Sequence, residues 1–230
     1  LSVYKSIKEK AAVTFTSPLL YWWMEHRRDF LWRQTDEAYN LMIAETLLRR
    51  TNAPAAHKVY TAFLSRFPTL NELLDADPEE ILCLVAPLGL KWRAANMITL
   101  VEHLKGSPSI PQSVSELLQL PGIGHYVARA ILVNSAGLRT IPVDSNIVRV
   151  MCRYFGIPES DSLRRNTSFQ NFVDGIIGDT NVRDLNYSLL DLAALVCRPS
   201  NPKCGACPVF RRCKFRQGLS QKAGSRTRYF

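Results

Sequence analysis

Cys197, Cys204, Cys207 and Cys213 stand in the spacing C-x6-C-x2-C-x5-C, inside 17 residues rich in Pro and Lys. Disulfides are disfavoured in a reducing cytosol, so four thiols this close are expected to share a metal site. Four thiolates suit zinc or a four-iron–four-sulfur cluster equally well on softness. Zinc sites usually combine two close C-x2–4-C pairs, and only Cys204 and Cys207 form one here, so the spacing leans towards iron–sulfur. Such a site would tie its loop to the body of the protein. It would also hold Lys203, Arg211, Arg212 and Lys214 in place without any redox chemistry. Cys83 and Cys152 lie in apolar helical stretches and read as small core residues.

The remaining pattern is helical. PQSVSELLQL carries Ser113 and Glu116 at capping-box spacing ahead of a leucine run. HYVARAILVNSAG is apolar at helical spacing and stops at Gly137, and DSNIVRVMCRYFG opens on an N-cap residue and stops at Gly156. EAYNLMIAETLLRRT and SLLDLAALVC are apolar enough to be buried helices. No sustained two-residue alternation marks a sheet, so an all-α fold is expected. APLGLKWRAANMI and LPGIGHYVARAIL share an outline, a glycine turn and then a basic helix. Two stacked helix-turn-helix units and chance likeness both fit it. No run reaches the roughly 18 apolar residues of a membrane span. The first residues, LSVYKSIKEKAAV, lack the order of a signal peptide. The expectation is an intracellular chain, cytoplasmic with the nucleoid if prokaryotic, and no membrane partner.

The formal net charge is +9, and residues 211–230 carry seven basic side chains and no acid. A solvated tail is the plain reading; a surface for an acidic polymer is the sharper one, with salt-sensitive affinity for nucleic acid. In LPGIG, Gly122 and Gly124 head a helix. Glycine allows close backbone approach, and the first-turn N–H groups suit a DNA phosphate, which anchors without reading sequence. Eighteen residues after Tyr126, Asp144 of IPVDSN begins another helix. Aspartate is a preferred N-cap, and the helix dipole holds such a carboxylate ionised. That fixed charge would suit a developing sugar cation.

LPGIGHYVARAIL, then IPVDSN, then C-x6-C-x2-C-x5-C, in that order, resemble the helix-hairpin-helix DNA glycosylase superfamily with its Gly/Pro-rich loop and catalytic aspartate. The resemblance runs from about Arg28 to Cys213 and points to the iron–sulfur branch, which includes endonuclease III, the adenine glycosylase MutY and the thymine/uracil mismatch glycosylases. It implies an all-α endonuclease III-like fold in two domains. Residues 29–136 would form a six-helix barrel with the hairpin motif at 113–136. Residues 1–28 and 137–230 would form the second helical domain, with a [4Fe-4S] cluster loop at 197–213.

The resemblance also implies roles. Bifunctional endonuclease III carries a lysine two residues after the second hairpin glycine, where this chain has Tyr126. A phenol cannot form the Schiff base, so a monofunctional enzyme is expected, with Asp144 as the catalytic carboxylate and Tyr126 in its pocket or packed on Ala130. The MutY catalytic glutamate maps onto Glu45, expected to be partly buried among Met42, Ile43, Leu47 and Leu48, or else paired with Arg49. Arg50 would insert near the vacated base stack or touch phosphate. Leu90 would wedge the opposite strand or pack in the core. Arg49-Arg50 matches the thymine mismatch enzymes, where MutY has two glutamines. Tyr187 stands where MutY has a base-reading glutamine and could stack on a flipped base; the archaeal-type mismatch enzymes are expected to have leucine there. The sequence ends 17 residues after Cys213, so MutY's C-terminal domain for oxidised guanine is expected to be missing. The expected activity is hydrolysis of thymine or uracil mispaired with guanine in double-stranded DNA, by a monomer. The alternatives are a MutY-type adenine glycosylase, an inactive damage-binding module, and a zinc-ribbon nucleic-acid binder.

Overall fold

A computed structural model describes residues 12–89, 91–107 and 109–218. Leu90, and the basic residues Lys222, Arg226 and Arg228, lie outside the described residues. The regular elements among the described residues are all helical, with no strand among them.

The chain divides into two compact units. One is residues 29–138, and the other combines residues 1–28 with 139–230. In the first, the helices are α2 (Ala38–Leu48), α3 (Ala53–Arg66), α4 (Leu70–Leu74), α5 (Pro78–Val85), α6 (Lys91–Leu104), α7 (Val114–Leu117) and α8 (His125–Ser135). The second unit holds α1 (Ser17–His26), α9 (Ser145–Phe155), α10 (Thr167–Asp174) and α11 (Val182–Leu195).

In the first unit α2 is apolar nearly all round, with Leu41, Met42, Ile43, Ala44 and Leu47 buried. A helix of that kind belongs in a core, and its most extensive packing is against α8. Caps set the ends of the shorter helices. Asn52 accepts from Ala55 N at 2.9 Å, and Thr69 and Glu72 complete a capping box at α4. At α7 the box is only half made. Ser113 accepts from Glu116 N at 3.2 Å, but the Glu116 carboxylate accepts from the Ser113 hydroxyl rather than from its backbone N–H. Cys83 is exposed, not a core residue. Ile81 and Val85, four apart, take the buried face of α5 and turn Cys83 away from it.

In the second unit α1 and α9 both pack on α11. The buried Asp191 of α11 holds α1 in place. It accepts from Trp23 Nε1 at 2.9 Å, from Arg28 N at 3.1 Å and from Arg28 Nε at 2.5 Å. Cys152 is buried, as its apolar setting implies.

Candidate functional site

The hairpin lies in the first unit, between α7 and α8. Gly122 has φ 79°, the left-handed region that favours glycine. Its carbonyl accepts from Arg49 Nη1 at 3.2 Å, and a Cβ there would stand 3.4 Å from that same nitrogen. Gly124 differs. It is extended, with φ −102° and ψ 175°, and serves as the N-cap of α8. Having no side chain, it makes no side-chain cap, which leaves the first turn to take an external acceptor. Tyr126, the second residue of α8, is half-buried, and His125 before it is exposed. A second glycine turn precedes α6: a tight turn at Ala86–Leu88, then Gly89 at φ 68°.

Glu45 is half-buried on α2, as expected, with Ala44 and Thr46 buried on either side of it. The turn that follows α2 separates two arginines. Arg49 lies over the Trp92 ring, 5.2 Å from its centroid, and reaches the hairpin. Arg50 is exposed and has φ 53°, a conformation unusual for a residue with a side chain. Arg50 is thus an exposed cation in a sparsely populated backbone conformation, next in the chain to the hairpin-bound Arg49.

Asp144 lies in the second unit as the N-cap of α9. Its two oxygens are both committed: Oδ1 accepts from Ile147 N at 2.8 Å and Oδ2 from Asn146 Nδ2 at 2.6 Å. Burial raises its pKa above the ordinary aspartate value, although these hydrogen bonds, the Asn146 N–H and the Arg149 charge all pull downward. The dipole and N–H groups therefore hold the carboxylate in place, but desolvation outweighs them in its titration.

Asn146 connects Asp144 to a buried cation. Arg149, 6% exposed, donates to Asn146 Oδ1 at 3.0 Å, to Ala193 O at 3.2 Å and to Cys197 O at 2.9 Å. One turn further along α9, Arg153 donates to Arg198 O at 2.7 Å and Pro199 O at 2.9 Å, and its Nη1 lies 3.6 Å from Cys197 Sγ. The helix that carries the aspartate at its head thus grips the cysteine loop with two arginines. Sequence reading missed both of them and Asn146. The signal was present, since Asn146, Arg149 and Arg153 share one helical face at i, i+3, i+7. The approach to Asp144 is fixed as well: Asp174 accepts from Ile141 N at 2.8 Å, and Gln170 donates to Ile141 O at 2.9 Å.

Cys197, Cys204, Cys207 and Cys213 line one cavity, with Val196, Pro202, Phe210 and Phe215 as apolar walls. Burial first, and then the other three cysteines, push the Cys207 thiol up to about 12, against one N–H bond from Val209. Among the described residues no group of three or more His, Cys, Asp or Glu side chains is arranged to hold a metal ion. Tyr187, on α11, is buried at 6%, with the Arg183 guanidinium 5.9 Å from its ring centroid. Of the basic residues near the loop, Lys203, Arg211, Arg212 and Lys214 are exposed.

A hairpin of glycines heading one helix and a capped aspartate heading another define a class of helical base-excision proteins. The chain belongs to the HhH-GPD superfamily of base excision DNA repair proteins, whose profile matches residues 43–173. It is 30% identical over 216 residues to the thymine/uracil-DNA glycosylase of Methanothermobacter thermautotrophicus, covering 92% of this chain and 97% of that one. It is 32% identical over 237 residues to the adenine DNA glycosylase of Homo sapiens, covering 96% of this chain but only 43% of that protein. Among solved structures, that of a thermostable thymine-DNA glycosylase superposes with a TM-score of 0.84 at 30% identity, over 91% of this chain and 98% of that one. An endonuclease III–DNA covalent intermediate shares the fold, with a TM-score of 0.77 at 18% identity. DNA is accordingly the macromolecule this chain acts on. Among the described residues no helix is long and apolar enough to cross a membrane.

Proposed function

We propose that the protein is a monofunctional DNA glycosylase that hydrolyses the N-glycosidic bond of thymine or uracil opposite guanine in double-stranded DNA, acting as a monomer. The observation that carries this reading is that one chain has both a fixed carboxylate, Asp144, and a hairpin helix whose second residue is Tyr126 rather than lysine. The likeness to thymine/uracil and thymine glycosylases over nearly their whole length supports the choice of base.

The hairpin would receive a phosphate at the head of α8, and Arg50 would enter the space left by the flipped nucleotide. A mismatched pair opens more cheaply than a matched one, which supplies part of the selectivity. As the bond to the base lengthens, the sugar becomes cationic, and Asp144 offers a negative charge already held by Ile147 N–H and Asn146. Water adds to the sugar carbon. The base leaves with the bonding electrons and takes up a proton, and the water gives one up; Asp144 would orient that water. Tyr126 would position water or the sugar phosphate. Glu45 would contact the base. Tyr187, packed under Arg183, would serve as a wall for the base. With Tyr126 in place of an amine, no imine forms and the strand stays intact.

Cys197, Cys204, Cys207 and Cys213 would hold a [4Fe-4S] cluster. The fit rests on the donors: four thiols line one largely apolar cavity, where burial and then the neighbouring thiols raise the Cys207 pKa, and a cationic iron core would favour its ionised form. The single close C-x2-C pair, Cys204 and Cys207, suits a four-iron–four-sulfur cluster better than a single zinc ion. When bound, the cluster would supply a rigid anchor for the loop that Arg149 and Arg153 grip.

An adenine-specific reading also has support, in the likeness to the human adenine glycosylase and in the half-buried Glu45, which would then protonate the departing adenine. Single-turnover base release from G·T, G·U, A·oxidised-G and A·G duplexes, with and without alkali, separates the two. Cleavage only after alkali, on G·T and G·U, is the expected result. Adenine release would establish the second reading, and cleavage without alkali would refute monofunctional chemistry.

A further inference from the structure

Arg93 of α6 is fully buried, and its guanidinium meets only neutral acceptors. Its Nη2 donates to Arg49 O at 2.5 Å and to Thr51 Oγ1 at 2.6 Å, and its Nη1 donates to Leu88 O at 3.3 Å. The nearest cation works against it: burial first, and then the Arg49 charge, lower its pKa. A buried charge in such a setting is costly, and an apolar side chain would fill the space more cheaply. The planar fork of arginine is what that space uses, because it reaches two loops at fixed angles.

One nitrogen of that fork grips the residue before Arg50 and the residue after it. Arg50 is the exposed residue held at φ 53°. The other nitrogen grips the carbonyl just before Gly89, in the second glycine turn. We propose that Arg93 is a positioning residue: its guanidinium locks the Arg49–Thr51 turn so that Arg50 is presented in the left-handed conformation for entry into DNA, and it ties that turn to the Leu88–Gly89 turn. The strain at Arg50 persists because its neighbours are over-determined. The long side chain thereby reaches DNA with its backbone already ordered, which spares that ordering at the moment of binding.

This inference rests on the proposed function, and the test keeps the two separable. Base release from a G·U duplex is measured for the parent protein, for Arg93→Met, for Arg50→Ala and for the double variant, with a melting curve for each. Arg93→Met is expected to slow release at least tenfold in the presence of Arg50 and less than twofold in its absence. A full, additive loss in the double variant would mean that Arg93 serves only general folding, and would overturn the proposal. Arg93→Lys keeps the charge but loses the fork. It is expected to melt closer to the parent while releasing base as slowly as Arg93→Met, and parental release by Arg93→Lys would also overturn the proposal. Should Arg93→Met fail to fold, the same cycle is run with Arg93→Lys. If the parent releases neither uracil nor thymine, the function reading fails on its own. The positioning role is then read from binding to a G·U duplex: Arg50→Ala should weaken it, and Arg93→Met should weaken it no further in that background. Binding indifferent to Arg50 would overturn the inference.

Discussion

Replacing Asp144 by asparagine separates what this carboxylate does for the fold from what it does for the reaction. The amide oxygen keeps the cap on Ile147 N, now 2.8 Å away. The amide nitrogen then faces Asn146 Nδ2, which donates to Asp144 Oδ2 at 2.6 Å. Two donors cannot share that contact, and rotating the Asn146 amide would withdraw Oδ1 from Arg149 Nη2, 3.0 Å away. One hydrogen bond is lost, about 1 kcal/mol. Against this, burial raises the Asp144 pKa, so folding disfavours the ionised form, and the amide removes that penalty. The two effects oppose each other, and the melting temperature should move by no more than about 2–4 °C. Base release should fall about 100- to 1000-fold, the scale set by removing one preorganised electrostatic group. The pH dependence has a definite sign. Above the raised pKa the wild-type carboxylate is ionised and carries its burial penalty; as pH falls through that pKa, protonation removes it. The wild type should therefore gain stability relative to Asp144→Asn on acidification, while its base release falls away at a pH above the ordinary value of 3.8. Single-turnover release and thermal melting across pH provide the assay. Release within tenfold of wild type, or wild-type stability that drops relative to the variant on acidification, would refute the reasoning.

Three further outcomes follow from contacts already described. Arg149→Met strands Asn146 Oδ1, Ala193 O and Cys197 O, and should destabilise the protein by about 2–4 kcal/mol in denaturant titration while also slowing base release. Asp191→Ala leaves Trp23 Nε1 and the Arg28 guanidinium without their carboxylate. Because Arg28 keeps 27% side-chain exposure, the loss should be about 2–3 kcal/mol, below that of a fully buried pair, with base release per folded molecule unchanged. Tyr126→Lys places an amine at the second residue of the hairpin helix, so borohydride should trap a covalent DNA adduct with this variant and none with the parent.

Much of the molecule could be read from local pattern. Helical periodicity, caps and stop residues depend on neighbours three or four positions away, and they placed α2, α8, α9 and α11 and put Asp144 at a helix head. Where the local pattern was ambiguous, the tertiary surroundings decided. Cys83 turned outward because Ile81 and Val85 claimed the buried face, and the Glu116 carboxylate chose a hydroxyl over a backbone N–H. The titration of Asp144 went the same way: a helix N-terminus alone argues for a lowered pKa, whereas desolvation by the surrounding chain raises it.

The sequence by itself determined the helical class, the glycine hairpin, the capping aspartate and the four-cysteine spacing, because each of these is written within a few residues of chain. Only the tertiary structure decided how they are supported. Arg93 reaches Arg49 across 44 residues, and Arg149 reaches Cys197 across 48. A buried guanidinium selects acceptors by position in space, and separation along the chain carries no record of which carbonyls will be brought within its reach.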